Sequence, residues 1–262
     1  MAQSPRRRWL PLFLGVAVGL GLTLALAVPG AANDLVRQLL ISRACIACDL
    51  SDVVLTRANL EDADLTQATL ARANLRQARL PRAQMTQADL SAANLHQAVL
   101  SGADLSGATL AGADLSQATL TGSRLRQAIA MAVNLERAEA RNTNWYGSDL
   151  SGSRLDGAAF NHASLSATDL TQATLTKGQF FRADFIGAQL AGADFTGADL
   201  RQALIRDAQL AGTNFTDADL LGANLNRTDL STARFCNTRM ANGSINNEHC
   251  ADLGLPPGNT AP

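Results

Sequence analysis

Four cysteines carry the most legible chemistry in this sequence. Cys45 and Cys48 form a Cys-x-x-Cys pair, a spacing used for thiol exchange and for half of a zinc site. Cys236 and Cys250 stand near the other end of the chain. Other candidates are poorer. His96, His162 and His249 are scattered and join no nucleophile or ligand pattern. The one lysine lies in Thr176-Lys177-Gly178, so there is no Gly-Lys-Ser/Thr sequence and no nucleotide-binding Walker loop. Asp and Asn are plentiful but show no coordination spacing, so neither a metal nor a cofactor is expected.

Whatever positions these residues has an unusual interior. Of 262 residues, 47% are hydrophobic but only 4% are aromatic and 17% charged. The apolar share is mostly Ala and Leu, which calls for a narrow, uniform core. The formal charge of -1 argues against a basic nucleic-acid binder.

Residues 1–32 read as targeting sequence. Arg6, Arg7 and Arg8 precede a 20-residue stretch without charge, Trp9 to Val28, and small residues end at Ala32. About 20 apolar residues can span a bilayer, so a cleaved signal peptide and an uncleaved membrane anchor both remain open. Either way the arginines hold the N-terminus in the cytoplasm and everything after Asn33 is exported. The Leu-rich core favours the general secretory route over twin-arginine transport. Without the three arginines, 19 basic and 23 acidic residues leave a net charge of -4.

The rest of the chain is dominated by a period of five. From Leu50 to Met240 every fifth residue can be taken without insertion or deletion, giving 39 pentads with Leu at that position in 27 and Phe in 6. Two residues earlier stands Ala in 27 of the 39. A helix turns about 100° per residue, so steps of five would scatter the Leu set around it. Strand alternation fails too, because its period is two. The two–three spacing fits a very short extended segment, then a tight turn, repeated. Glycines such as Gly102, Gly107 and Gly112 suit that turn.

Ala58-Asn59-Leu60-Glu61-Asp62 and Ala113-Asp114-Leu115-Ser116-Gln117 follow A-[DN]-L-x-x. On these motifs, residues 48–240 resemble the pentapeptide-repeat family. The resemblance implies an all-β solenoid: a right-handed quadrilateral β-helix with four pentads per coil and about ten coils, roughly 47 Å long at strand spacing. Residues twenty apart then stack. Phe195, Phe215 and Phe235 fall on one face, and Phe160 and Phe180 on another.

Solenoid ends need covering. Asn33 or Asp34 can N-cap a helix to about Ala44, with residues 33–47 as a short N-terminal α-helical cap; Val36, Leu39, Leu40 and Ile41 would cover the first coil. Residues 241–262 are expected to form a C-terminal cap and a mobile tail from Ala251. A rod of about ten coils separates the cysteine pairs, so one shared zinc site is excluded. In an exported chain disulfides are the default. Cys236–Cys250 would close a loop of about 15 residues and contribute about 3 kcal/mol. Cys45 and Cys48 are expected as a structural disulfide or buried thiols ahead of thiol exchange or metal binding. The arrangement resembles exported cyanobacterial members of the family with cysteine-bearing ends, which points to periplasm or thylakoid lumen.

The pattern weakens once. Ala130 and Ala140 replace Leu, and Trp145-Tyr146 follows, with Arg137 and Arg141 nearby. One reading is compensation, a large Trp filling space left by two Ala residues. The other is a partner-docking patch of Trp145, Tyr146, Arg137 and Arg141, residue types that concentrate binding energy.

The function expected is an exported, noncatalytic β-helical scaffold or protein-interaction module with an unknown protein partner. Nucleic acid is not expected, and membrane contact is expected only through an uncleaved N-terminal segment. The chain is expected to be a monomer or weak dimer. Other classes make demands that this sequence does not meet. A DNA-mimic regulator of a topoisomerase needs a cytoplasmic, strongly acidic rod. An enzyme or carbohydrate-binding β-helix needs long loops to wall a cleft, and 39 uninterrupted pentads supply none.

Overall fold

The computed structural model describes residues 31–256. The chain winds into a four-sided coil of twenty residues. Each side is a three-residue extended segment whose middle residue makes a parallel bridge to the residue twenty positions on, from Ala44 with Asp64 to Asp219 with Arg239. Most corners are β-turns in which the N–H of the small residue donates to the carbonyl three residues earlier, as from Ala63 to Leu60 at 3.1 Å. Within these corners positive φ occurs only at the second residue, the signature of a type II turn. Gly fills many of these positions, but Gln77, Arg137 and Lys177 also adopt φ between 54° and 57° there. Left-handed backbone costs a non-Gly residue about 1 kcal/mol. The coil offsets that cost by pairing the strained N–H with the next coil, as from Gln77 to His96 O at 2.9 Å.

The backbone donors of a pentad are satisfied in a fixed way, which accounts for the polar residue between Ala and Leu. In the pentad around Asp64 and Leu65, Asp64 N donates to Arg43 O of one neighbouring coil and Leu65 N to Gln84 O of the other. Gln67 N donates to Thr86 O. The first corner N–H has no such partner. Asp64 Oδ1 accepts it from Thr66 at 3.1 Å, and Asp89, Asp104 and Asp114 repeat the bond at their own corners. Asp and Asn recur at the middle position because a short side-chain acceptor closes the count.

Inside, Leu and Ala fill the bore, and residues such as Leu65, Ala68, Leu105 and Leu110 are fully buried. Phe195, Phe215 and Phe235 stack with centroids 5.4 and 5.7 Å apart, and Phe160 lies 5.7 Å from Phe180. Helix α1, Ala31–Ser42, covers one end. It begins ahead of Asn33, so Asn33 and Asp34 lie in its first turn rather than capping it; Asp34 there suits the helix dipole. The covering face is Leu35, Val36 and Leu39. Leu40 and Ile41 point to solvent, contrary to expectation, because they fall off the stripe that Leu35 and Leu39 define.

At the other end one corner is displaced, while the bridges on either side of it, Leu204 with Asn224 and Asn214 with Arg234, stay twenty apart. Gly212 N donates to Thr232 O, twenty residues on, whereas Gly192 N donates to Ala211 O, nineteen on. Leu225, Leu230 and Met240, at inward positions of the last coil, are only partly buried. The chain then reverses, and β1 (Thr238–Arg239) pairs antiparallel with β2 (Ile245–Asn246). The segment after Ala251 is hydrogen-bonded as far as Leu255, whose N–H reaches Cys250 O at 2.9 Å. Residues 1–30 of the expected 1–32 leader, and residues 257–262, lie outside the described residues. Among the described residues no helix is long and apolar enough to cross a membrane.

Candidate functional site

The cysteines sit where coil meets cap. Cys45 occupies the inward position of the first side and is joined to Cys48, with Cα atoms 5.5 Å apart. Cys48 Sγ also lies 2.9 Å from Cys45 O. At the far end Cys236 is joined to Cys250, with Cα atoms 4.7 Å apart and both residues buried. This second bond ties the returning segment onto the last coil. His249 supports it: its N–H donates to Phe235 O at 2.9 Å, and its Nδ1 accepts from Phe235 N at 3.3 Å. Among the described residues no three His, Cys, Asp or Glu side chains converge as metal ligands.

The four residues grouped as a docking patch are not brought together. Trp145 is fully buried. Its indole Nε1 donates to Thr143 Oγ1 at 3.1 Å, and that hydroxyl donates to Ala140 O at 2.7 Å. One complete turn of the coil therefore carries Ala130, Leu135, Ala140 and Trp145 inward, and the indole fills what two alanines leave. A residue with no exposed surface cannot anchor a partner. Arg137, Arg141 and Tyr146 are outside, but on three successive corners, because a step of five moves the chain round by one side. Two of them already have partners. Arg141 Nη1 lies 3.2 Å from Glu139 Oε2, and the Arg126 guanidinium sits 5.6 Å from the Tyr146 ring. The signal for this was available in the numbering, since positions five apart cannot share a corner.

What the outer surface presents instead is ladders along the rod. Arg57 Nε donates to Gln77 Oε1 at 2.8 Å, Gln77 Nε2 to Gln97 Oε1 at 2.8 Å, and Gln97 Nε2 to Gln117 Oε1 at 3.0 Å. Ionic rungs join Asp52 to Arg72 at 2.6 Å, Asp62 to Arg82 at 2.8 Å and Asp207 to Arg227 at 2.5 Å. Hydrogen bonds from Arg72 and Arg82 hold the carboxyls of Asp52 and Asp62 below the usual carboxylate range. These groups are exposed, so the pairing orders side chains more than it stabilises the fold.

A stacked, four-sided coil of five-residue repeats with capped ends defines a class of β-solenoid whose repeat carries no loops. The family model for pentapeptide repeats matches residues 48–87, 88–127, 131–166, 163–202 and 203–242, and the chain belongs to that family, the right-handed quadrilateral β-helices. Among solved structures it is similar to HetL, a pentapeptide-repeat protein involved in heterocyst differentiation regulation from the cyanobacterium Nostoc sp. strain PCC 7120. The two are 31% identical over 82% of this chain and 98% of that one, with a TM-score of 0.55. A pentapeptide-repeat protein from the cyanobacterium Cyanothece 51142, Rfr23, is 21% identical over 78% of this chain and 98% of its own, with a TM-score of 0.30. One from the Arabidopsis thaliana thylakoid lumen is 23% identical over 50% of this chain and 68% of its own, with a TM-score of 0.23. None of the curated proteins matches.

Proposed function

We propose that this chain is an exported, noncatalytic scaffold that displays fixed ladders of polar side chains to a protein partner. One observation carries the reading: both ends of the rod are closed by disulfides, Cys45–Cys48 and Cys236–Cys250. Such bonds persist in oxidising compartments. The charged leader of residues 1–32 is consistent with export. The uninterrupted coil fits display rather than catalysis, because side chains held at coil spacing need little further ordering on binding. The similar protein HetL is involved in heterocyst differentiation regulation, and a regulatory role exercised through protein contact suits the same design. DNA mimicry gains nothing from the surface, where Asp52, Asp62 and Asp207 are already matched by arginines.

Fractionation with thiol alkylation tests the proposal. The expected result is a pool outside the cytosol whose four cysteines resist alkylation until reduced, and which cross-links there to a discrete protein. A cytosolic pool with free thiols would overturn it.

A further inference from the structure

The glutamine ladder ends against an unmatched neighbour. Gln117 Oε1 accepts from Gln97, and the ladder stops there: among the described residues the Gln117 amide donors have no protein acceptor. The next residue in the column is Arg137, whose side chain can only donate. Beyond it come Gly157 and Lys177, the sole lysine of the chain. Among the described residues neither Arg137 nor Lys177 has a carboxylate within ion-pair distance, and neither side chain has a protein acceptor. Gly157 has no side chain and sits between them, with φ of 66°. The result is a surface groove of about 400 Å³ walled by Gln117, Arg137 and Lys177 on one side and Glu136 and Asp156 on the other.

The two acids are already engaged. Arg154 binds Glu136. Asp156 Oδ2 accepts from Thr174 Oγ1 at 2.7 Å, and Oδ1 from Thr176 Oγ1 at 2.5 Å and Thr176 N at 3.2 Å. Partial burial would raise the Asp156 carboxyl, but these threonine bonds with Arg154 nearby hold it below its ordinary value. The acid wall is therefore satisfied, and the opposite wall presents three donors without acceptors. Arg137 and Lys177 are two coils apart, about 10 Å along the axis. The Arg137 stem lies over Gly157, with its Cγ 3.6 Å from where a Cβ would stand, and the Lys177 stem runs on over Gly197 at 3.5 Å.

We propose that this groove binds an acidic peptide segment of the partner, one carboxylate held between the Arg137 guanidinium and the Lys177 ammonium beside Gly157 and within reach of the Gln117 amide. The proposal rests on the interaction-scaffold reading and names the chemistry of its partner. Lys177 makes it testable directly. Reductive ¹³C-methylation of the intact, oxidised protein labels one lysine, whose signal is distinct from that of the terminal amine. A blocked tetraglutamate peptide is expected to shift that signal. Lys177→Gln, Arg137→Gln and Gly157→Gln are each expected to weaken peptide binding about tenfold. Gln already occupies the same backbone position at residue 117, so Gly157→Gln fills the notch without asking for a new turn. Arg124→Gln, an equal charge change elsewhere on the rod, is expected to alter binding by no more than about twofold.

No shift with tetraglutamate overturns the proposal. So does an equal loss in Arg124→Gln, which would mean net charge alone, or equally tight binding of inorganic phosphate, which would mean a small-anion site. A cross-linked exported partner whose capture is indifferent to Arg137→Gln and Lys177→Gln would leave the scaffold reading standing and remove only the groove.

Discussion

The bore is built differently in its two halves. From Leu50 to Leu125 the inward positions are Leu with one Met, and the small positions that face them are mostly Ala. From Trp145 to Phe235 one Trp and six Phe enter, and Ser or Thr replaces Ala at several small positions. The aromatic half also gains polar rungs inside. Ser148, Ser153, Thr168, Thr213 and Thr238 are buried, and each hydroxyl donates to the carbonyl 23 residues earlier, as Thr213 does to Leu190 O at 2.7 Å. The first half thus relies on close-packed aliphatic volume, the second on ring stacking plus internal hydrogen bonds. The backbone ladder outside is the same in both, so differences in mutational response report the bore.

The largest contrast should come from a charge placed inside the aliphatic half. Leu105→Lys buries an ammonium with no acceptor, and a loss of about 4 kcal/mol or more is expected, enough to break the coil locally. A soluble variant with an unchanged denaturant midpoint would contradict the inward assignment of Leu105. In the aromatic half, Trp145→Ala should lose about 3–5 kcal/mol. The upper part of that range is expected, because Ala130 and Ala140 share the same turn and cannot fill the space. Trp145 fluorescence in the parent should be blue-shifted and resistant to quencher; an easily quenched indole would reopen its use as a contact residue.

The two ends sharpen the comparison at an intermediate scale. Cys250→Ser releases a loop of about 15 residues and should cost about 3 kcal/mol in the chain-entropy description, against about 2 kcal/mol for Cys48→Ser with its very short loop. Amide exchange should localise the first effect to Phe235, Asn237 and the β1–β2 pair. Exchange unchanged there would mean that the hairpin, rather than the disulfide, holds the cap.

Much of the fold was legible because five-residue spacing has few physical solutions, and the stacks of Phe160 with Phe180 and of Phe195 with Phe215 followed from a twenty-residue coil. Less legible was the tolerance of the corners. Glycine suggests the turn, but Gln77 and Lys177 adopt the same positive φ because a backbone bond to the next coil outweighs the strain. The displaced corner near Thr232 leaves no trace in the spacing, which continues unbroken through Leu225, Leu230 and Met240. At the surface, residue type misled: Trp145, Tyr146, Arg137 and Arg141 look like an interface in one dimension and are dispersed by the corners in three. The Gly157 groove was invisible for the opposite reason, since Gln117, Arg137 and Lys177 are separated by twenty to sixty residues.

The finest test uses one substitution at two buried serines. Ser148 Oγ donates to Leu125 O at 2.5 Å and accepts from Ala128 N at 3.3 Å. Ser123 is equally buried, but its Oγ has no partner. Burying a hydroxyl without a bond costs desolvation that nothing returns, whereas a bonded one contributes about 1 kcal/mol net. Ser123→Ala should therefore stabilise the protein by about 1 kcal/mol and Ser148→Ala destabilise it by about as much. Because a repeat array need not unfold in one step, local amide exchange around Leu125 and Leu100 is the better readout than a single melting point. Opposite signs would establish that internal hydroxyls belong to the aromatic half as a structural device. Equal signs would reduce them to volume, and the difference between the two halves to their rings alone.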